Sequence, residues 1–293
     1  MSNINLIKWH HETDTTIVNS IIPVDLYYTS IDIIDSPNKK IYVQTEPDAI
    51  NPCYNYLRKN KDKFDYIACY DPDQVPSNKT IHLICGGCWI NKEDYLNIDT
   101  SIKKFQISNL CGKKKYTKAH YLRIFLYLNQ LELNQYPITF FRTPLHGHGS
   151  GGDILPEINN NPFIGVEHSA KIDLFREFQF SIVIENSRER HYFSEKIIDC
   201  LITKTIPIYY GCENISDYFV TDGWIILETD NIVEELHEKL KLLDEDYYKK
   251  YEKIIEHNYQ KAITYNSVYK NSYKALNNIP YINIDNNNAP SFG

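Results

Sequence analysis

Two apolar runs that do not alternate bracket a segment of helical periodicity. They are Ser181 to Ile184, inside Phe180-Ser-Ile-Val-Ile-Glu-Asn-Ser187, and Ile206-Pro-Ile-Tyr-Tyr-Gly211. A strand with one wet face alternates polar and apolar residues; a strand covered on both faces does not, and such strands belong to parallel sheets flanked by helices. Between the runs, Ser194 is a good N-cap, Glu195 and Lys196 fill the first turn, and Ile198, Leu201 and Ile202 supply a buried face. Strand, polar loop, helix and strand form half of a Rossmann unit, which presents a helix N-terminus to a phosphate.

The rest of the chain fits an α/β protein. Up to about residue 101 the runs Ile4 to Trp9, Val24 to Tyr28, Lys40 to Val43, Phe64 to Tyr70 and Thr80 to Cys85 read as strands, with one helix from Pro52 to Lys61. From Lys104 the units lengthen into regular βαβ alternation. Phe105 to Leu110 is a strand, Thr117 a helix cap, and Leu122, Phe125 and Leu126 show helical spacing ahead of the strand Ile138 to Phe141. Beyond the central unit come a strand from Trp224 to Leu227, a helix from Asn231 to about Leu243, and helix through the Tyr- and Lys-rich run Tyr247 to Ala275. The expected organisation is an N-terminal lobe over 1–101, a C-terminal lobe over 102–275 and a flexible tail over 276–293, with a site between the lobes.

Composition narrows the partners. Lys and Arg number 31 against 38 Asp and Glu, a formal charge of −7, which argues against a general nucleic-acid or anionic-membrane binder. The first twelve residues hold no apolar run long enough for a signal peptide or membrane span, so a cytoplasmic location is expected. Seven cysteines, an odd number in a chain of 293 residues, read as reduced thiols rather than a disulfide framework. Cys85-Gly-Gly-Cys88 has redox or zinc-knuckle spacing but no second Cys/His pair beside it.

The chemistry concentrates at the helix start. Glu in a first turn suits the helix dipole and Lys does not, so Lys196 calls for an anion such as a diphosphate, while Glu195 can accept hydrogen bonds from ribose hydroxyls. A solvated helix end with an incidental lysine is the plain alternative. Glu185 and Asn186 emerge at the carboxyl end of a buried strand, where open α/β sheets bind ligands; Asn186 could equally cap the loop.

Taken together, Phe180 to Ser187, Tyr192-Phe-Ser-Glu-Lys-Ile-Ile-Asp-Cys200 and Thr205-Ile-Pro-Ile-Tyr-Tyr-Gly211 resemble the signature of the α-1,3/4-fucosyltransferase family over about 35 contiguous residues, with Ser194 in place of the usual Thr. The resemblance implies a GT-B-like fold of two Rossmann-like lobes, with the donor in the C-terminal lobe and the active site in the cleft. It implies GDP-fucose as donor, a glycan acceptor and inversion at the anomeric carbon. Donor-binding residues would be Glu185, Asn186, Tyr192, Ser194, Glu195 and Lys196. The segment His120 to Asn129 resembles the family's first donor-lobe helix, making Arg123 a diphosphate contact, and Lys39 to Glu46 resembles the strand end that carries the catalytic base, making Glu46 that base. No metal or other cofactor is expected.

Rival readings remain. Asp71-Pro-Asp73 resembles the Asp-x-Asp that holds Mn²⁺ in GT-A enzymes, though it is also ordinary turn chemistry. The Gly-rich loop His146 to Asp153 lacks a P-loop ending and reads as a loop contacting donor or acceptor. Another GDP-sugar or nucleotide sugar could serve as donor, and a non-catalytic carbohydrate or nucleotide-sugar binding module, with 24 Tyr and three Trp for stacking, is the alternative from another class.

Overall fold

The computed structural model describes residues 3–8, 18–112, 114–142, 166–167 and 170–284. The loop expected at 146–153 and the tail at 286–293 lie outside these residues. In the N-terminal lobe, β1 (Ile4–Lys8), β3 (Val24–Tyr28), β4 (Lys39–Val43), β5 (Tyr66–Cys69) and β6 (Thr80–His82) form a parallel sheet in the order β1-β3-β4-β5-β6. A short strand, β2 (Val18–Ser20), stands outside this sheet. The C-terminal lobe holds a second parallel sheet of β7 (Lys104–Cys111), β8 (Ile138–Arg142), β9 (Val166–Glu167), β10 (Phe178–Ile184), β11 (Ile206–Tyr210) and β12 (Ile225–Ile226), ordered β12-β11-β10-β7-β8-β9.

The two sheets wind differently. In the first, strands follow one another in a single direction. In the second, the chain runs outward from β7 to β8 and β9, returns to the other side of β7 as β10, and continues to β11 and β12. That reversal opens a crevice beyond the carboxyl ends of β7 and β10, the place where such sheets hold ligands.

The helices are α1 (Tyr54–Asn60), α2 (Lys92–Leu96), α3 (Lys118–Leu128), α4 (Glu195–Ile202), α5 (Ile232–Lys239), α6 (Tyr247–Lys250), α7 (Glu252–Ile263) and α8 (Val268–Leu276). One face of the C-terminal sheet is covered by α3 and α5 through Ala119, Leu122, Leu126, Ile232 and Leu236. The other is covered by α4 and α7, with Ile198, Leu201 and Ile202 buried as their spacing requires. Helices on both faces explain why β10 and β11 read as unbroken apolar runs. Within α3 the buried stripe runs through 119, 122 and 126, which turns Phe125 outward at 47% exposure.

The C-terminal end departs most from expectation. The Tyr- and Lys-rich run is three helices, not one, because after Thr264 the chain leaves its lobe and Ser267 starts a new helix by accepting a bond from the Lys270 N–H. Helix α8 then packs on the N-terminal sheet, where Tyr273, Leu276 and Ile279 join Leu26, Ile41 and Val43 in one core. Residues 276–284 are therefore not a flexible tail: Ile279 and Ile282 are buried, and β13 (Ile282–Ile284) pairs antiparallel with β2. Apolar residues 3–4 apart on α8 need a partner, and the N-terminal sheet supplies it.

Candidate active site between the lobes

Helix α4 begins at the crevice. Ser194 caps it, its Oγ accepting from the Lys196 N–H at 3.4 Å. The fully buried Glu185 at the end of β10 fixes that cap: its Oε1 accepts from the Ser194 N–H at 3.0 Å and its Oε2 from the Ser194 Oγ–H at 2.6 Å. Gly211 makes room for this carboxylate, since a Cβ there would sit 2.5 Å from Glu185 Cγ. Burial pushes the Glu185 pKa up, against Lys196. Glu185 and Ser194, 6% exposed, are thus the buried frame of the helix start.

Glu195 and Lys196 stand in front of that frame. Lys196 Nζ donates to Glu195 Oε1 at 2.9 Å and to Ser194 Oγ at 3.3 Å. Burial alone would raise the Glu195 pKa, yet Lys196 and Lys171 outweigh it and hold it at about 2. Glu195 is therefore an anion at neutral pH.

On the other wall is α3, whose cap Thr117 forms a reciprocal box with His120 and donates from Oγ1 to the Asn186 carbonyl at 2.5 Å. Arg123 lies one turn further on; one terminal nitrogen donates to the Glu185 carbonyl at 2.9 Å and to Asn186 Oδ1 at 2.8 Å, while its Nε is buried without a hydrogen bond. Burial first, then Arg123, Lys196 and Lys114, lower the His120 pKa to about 3, so this imidazole is neutral.

Glu46 comes from the other lobe. It follows β4, where Thr45 Oγ1 lies 2.7 Å from Thr29 Oγ1 and Asp48 accepts from the Cys53 and Tyr54 N–H groups, both at 2.8 Å, so the strand end is pinned before α1 starts. Burial and then the facing Glu195 carboxylate raise the Glu46 pKa, with Lys114 and Lys196 opposing. Glu46 therefore shares one electrostatic neighbourhood with the α4 start, across the lobe boundary. Tyr192 is placed differently: its ring is 2% exposed and packs edge-on against Tyr70 of the N-terminal lobe at 5.4 Å, a strut between lobes.

Several site features carry little sequence signal. The glycines of Cys85-Gly-Gly-Cys88 join the lobes: the Gly86 N–H donates to the Phe193 carbonyl at 3.1 Å, the Gly87 N–H to the Tyr265 carbonyl at 2.9 Å, and Gly86 forms a parallel bridge with Ser194. The seven cysteines are free thiols. Tyr70 donates to Glu189, and Tyr218 OH lies 3.2 Å from His82 Nε2, further contacts across the boundary. Asp71 accepts from the Asp73 N–H at 3.3 Å, the turn chemistry its Asp-Pro-Asp setting suggests. Among the described residues no group of three or more His, Cys, Asp or Glu is arranged to hold a metal ion, and no helix is long and apolar enough to cross a membrane.

Comparison with known proteins supplies independent information. Residues 157–279 match the model of the glycosyltransferase family 10 (fucosyltransferase) C-terminal domain. A fucosyltransferase-like protein of Arabidopsis thaliana is 27% identical over 74 residues, 25% of this chain and 14% of that protein. Among solved structures, S. aureus TarM superposes with a TM-score of 0.54 at 12% identity over 87% of this chain and 54% of its own, so the chain spans about half its length. The trehalose-6-phosphate synthase OtsA gives 0.52 at 10% identity over 87% of this chain and 71% of its own. These likenesses show the fold: two facing α/β lobes of the GT-B type.

Proposed function

We propose that this chain, whose residues 157–279 match the glycosyltransferase family 10 (fucosyltransferase) C-terminal domain, is a glycosyltransferase of that family that transfers L-fucose from GDP-fucose to a hydroxyl of a glycan acceptor with inversion and without a metal. The observation that supports this reading is that the charges of Glu195 and Lys196, at the start of α4 in one lobe, act on Glu46 of the other.

The diphosphate lies at the α4 N-terminus, where the positive end of the helix dipole and Lys196 take its charge. Arg123 anchors the Asn186 loop and adds its own positive charge to the same crevice. Glu195 accepts hydrogen bonds from the ribose hydroxyls. As the acceptor oxygen attacks the anomeric carbon, the bond from that carbon to the β-phosphate oxygen breaks, its electron pair leaves on GDP, and Glu46 takes the acceptor proton. A carboxylate whose pKa is raised is the better proton acceptor, which is what burial beside Glu195 gives Glu46. One displacement inverts the centre. Fucose, rather than another GDP-sugar, follows from the family alone.

Thermal shift with GDP, UDP and CMP tests the donor, because a ligand that binds only the native state raises its melting temperature. GDP is expected to give the largest rise. Preference for UDP overturns the assignment.

A further inference from the structure

Lys171 opens a 3₁₀ turn (Lys171–Leu174) just before β10, with its ammonium 3.8 Å from Asp199 Oδ2. Asp199 is fully buried on α4; its Oδ1 accepts the Trp89 N–H at 2.8 Å, and its Oδ2 makes no hydrogen bond. Asp199 stands four residues after Glu195, and helical side chains lean toward the N-terminus, so both carboxylates share one flank of α4. Once Asp199 is ionised, which burial delays to about pH 7, like charges so spaced repel. The ammonium of Lys171 is the cation paired with Asp199, and after Lys196 its charge also helps to keep Glu195 ionised. On the far side Gly87 closes in, since a Cβ there would lie 3.5 Å from Glu195 Cβ. Glu195 is thus held by Lys196 of its own helix, by the inter-lobe loop, and by a turn from elsewhere in the chain.

We infer that Lys171 is a positioning residue for the nucleotide: by balancing Asp199 it leaves the Glu195 carboxylate directed at the vicinal hydroxyls of a ribose. This rests on the reading of Glu195 as the ribose acceptor. Lys171 sits beside the reaction machinery and touches no reacting atom.

Calorimetric titration with GDP and with 2′,3′-dideoxy-GDP separates this role from a structural one. Wild type should bind GDP about tenfold more tightly than the dideoxy analogue, the worth of a hydrogen bond to a charged acceptor. Lys171→Met should lose that preference while binding the analogue as wild type does, and Lys171→Arg should restore it. Lys171→Met leaves Asp199 buried and unbalanced, and Lys171→Met/Asp199→Asn removes the charge that Lys171 balances: its melting temperature and its ribose preference should both recover. A double variant that regains its melting temperature without the preference, or equal loss of both nucleotides in Lys171→Met, overturns the inference. Wild type that binds neither nucleotide overturns the underlying donor reading, and the inference with it.

Discussion

Replacing Gly86 by Ala should weaken the joint between the lobes and, through it, the nucleotide site. Gly86 adopts φ +59°, and a Cβ there would lie 2.3 Å from the Tyr265 carbonyl oxygen. Holding an L-residue in the left-handed region costs about 1 kcal/mol. Restoring an ordinary carbon–oxygen separation requires the loop to withdraw by roughly 1 Å. That movement takes the Gly86 N–H bond to Phe193, now 3.1 Å, and the Gly87 N–H bond to Tyr265, now 2.9 Å, out of range. Each is worth about 1 kcal/mol, which brings the sum to about 3 kcal/mol and a melting temperature lower by roughly 6 °C in a chain of this size. Because Gly86 also bridges to Ser194, the α4 cap, GDP affinity should fall with stability. Differential scanning fluorimetry and GDP titration read both effects. Gly112→Ala, where a Cβ would meet nothing within 4 Å, is the matched control. A Gly86→Ala variant that melts within about 1 °C of wild type and binds GDP equally would refute the reasoning.

Glu46→Gln should leave GDP binding intact and lower turnover by about 10²-fold or more, measured as GDP release; turnover near wild type removes Glu46 as base. The activity of wild type should fall on the acid side through a pKa above the usual carboxylate range, because protonated Glu46 cannot accept the acceptor proton. Stability should also carry a pH signature from Asp199, whose pKa burial pushes up to about 7. The unfolded side chain titrates near 4, so between about 4 and about 7 the folded state holds the extra proton and stability falls as pH rises through that window; Asp199→Asn should remove this slope in pH-dependent melting. Transfer should proceed at an unchanged rate in excess EDTA, and loss of activity restored by Mn²⁺ would bring Asp71 and Asp73 back as ligands.

What could be read from the sequence follows from local physics. The βαβ unit from β10 to β11, the Ser194 cap and the Thr117 cap announce themselves through periodicity and turn chemistry within a few residues. The N-terminal strand β3 spans Val24–Tyr28 as its apolar run predicts. The return of α8 and β13 to the first lobe was not legible, because the partner of an amphipathic face lies some 230 residues away in the chain and no local pattern encodes it. The same holds at the site. Glu185, Asn186, Glu195, Lys196 and Asp199 cluster in sequence, whereas Lys171 and the Gly86–Gly87 joint reach them only through the packing of the C-terminal lobe and the closing of the lobes. Cys85-Gly-Gly-Cys88 drew notice for its thiols, yet the positive φ angles of its glycines are what matter: Gly86 (φ +59°) and Gly87 (φ +113°) let the backbone approach Tyr265 and Glu195.

The most direct test is acceptor-dependent turnover. Wild-type protein incubated with GDP-fucose and a panel of galactosyl and N-acetylglucosaminyl acceptors should release GDP only in the presence of an acceptor, with product of inverted anomeric configuration by NMR. Tight GDP-fucose binding with no GDP release on any acceptor would contradict the account and favour a nucleotide-sugar binding module.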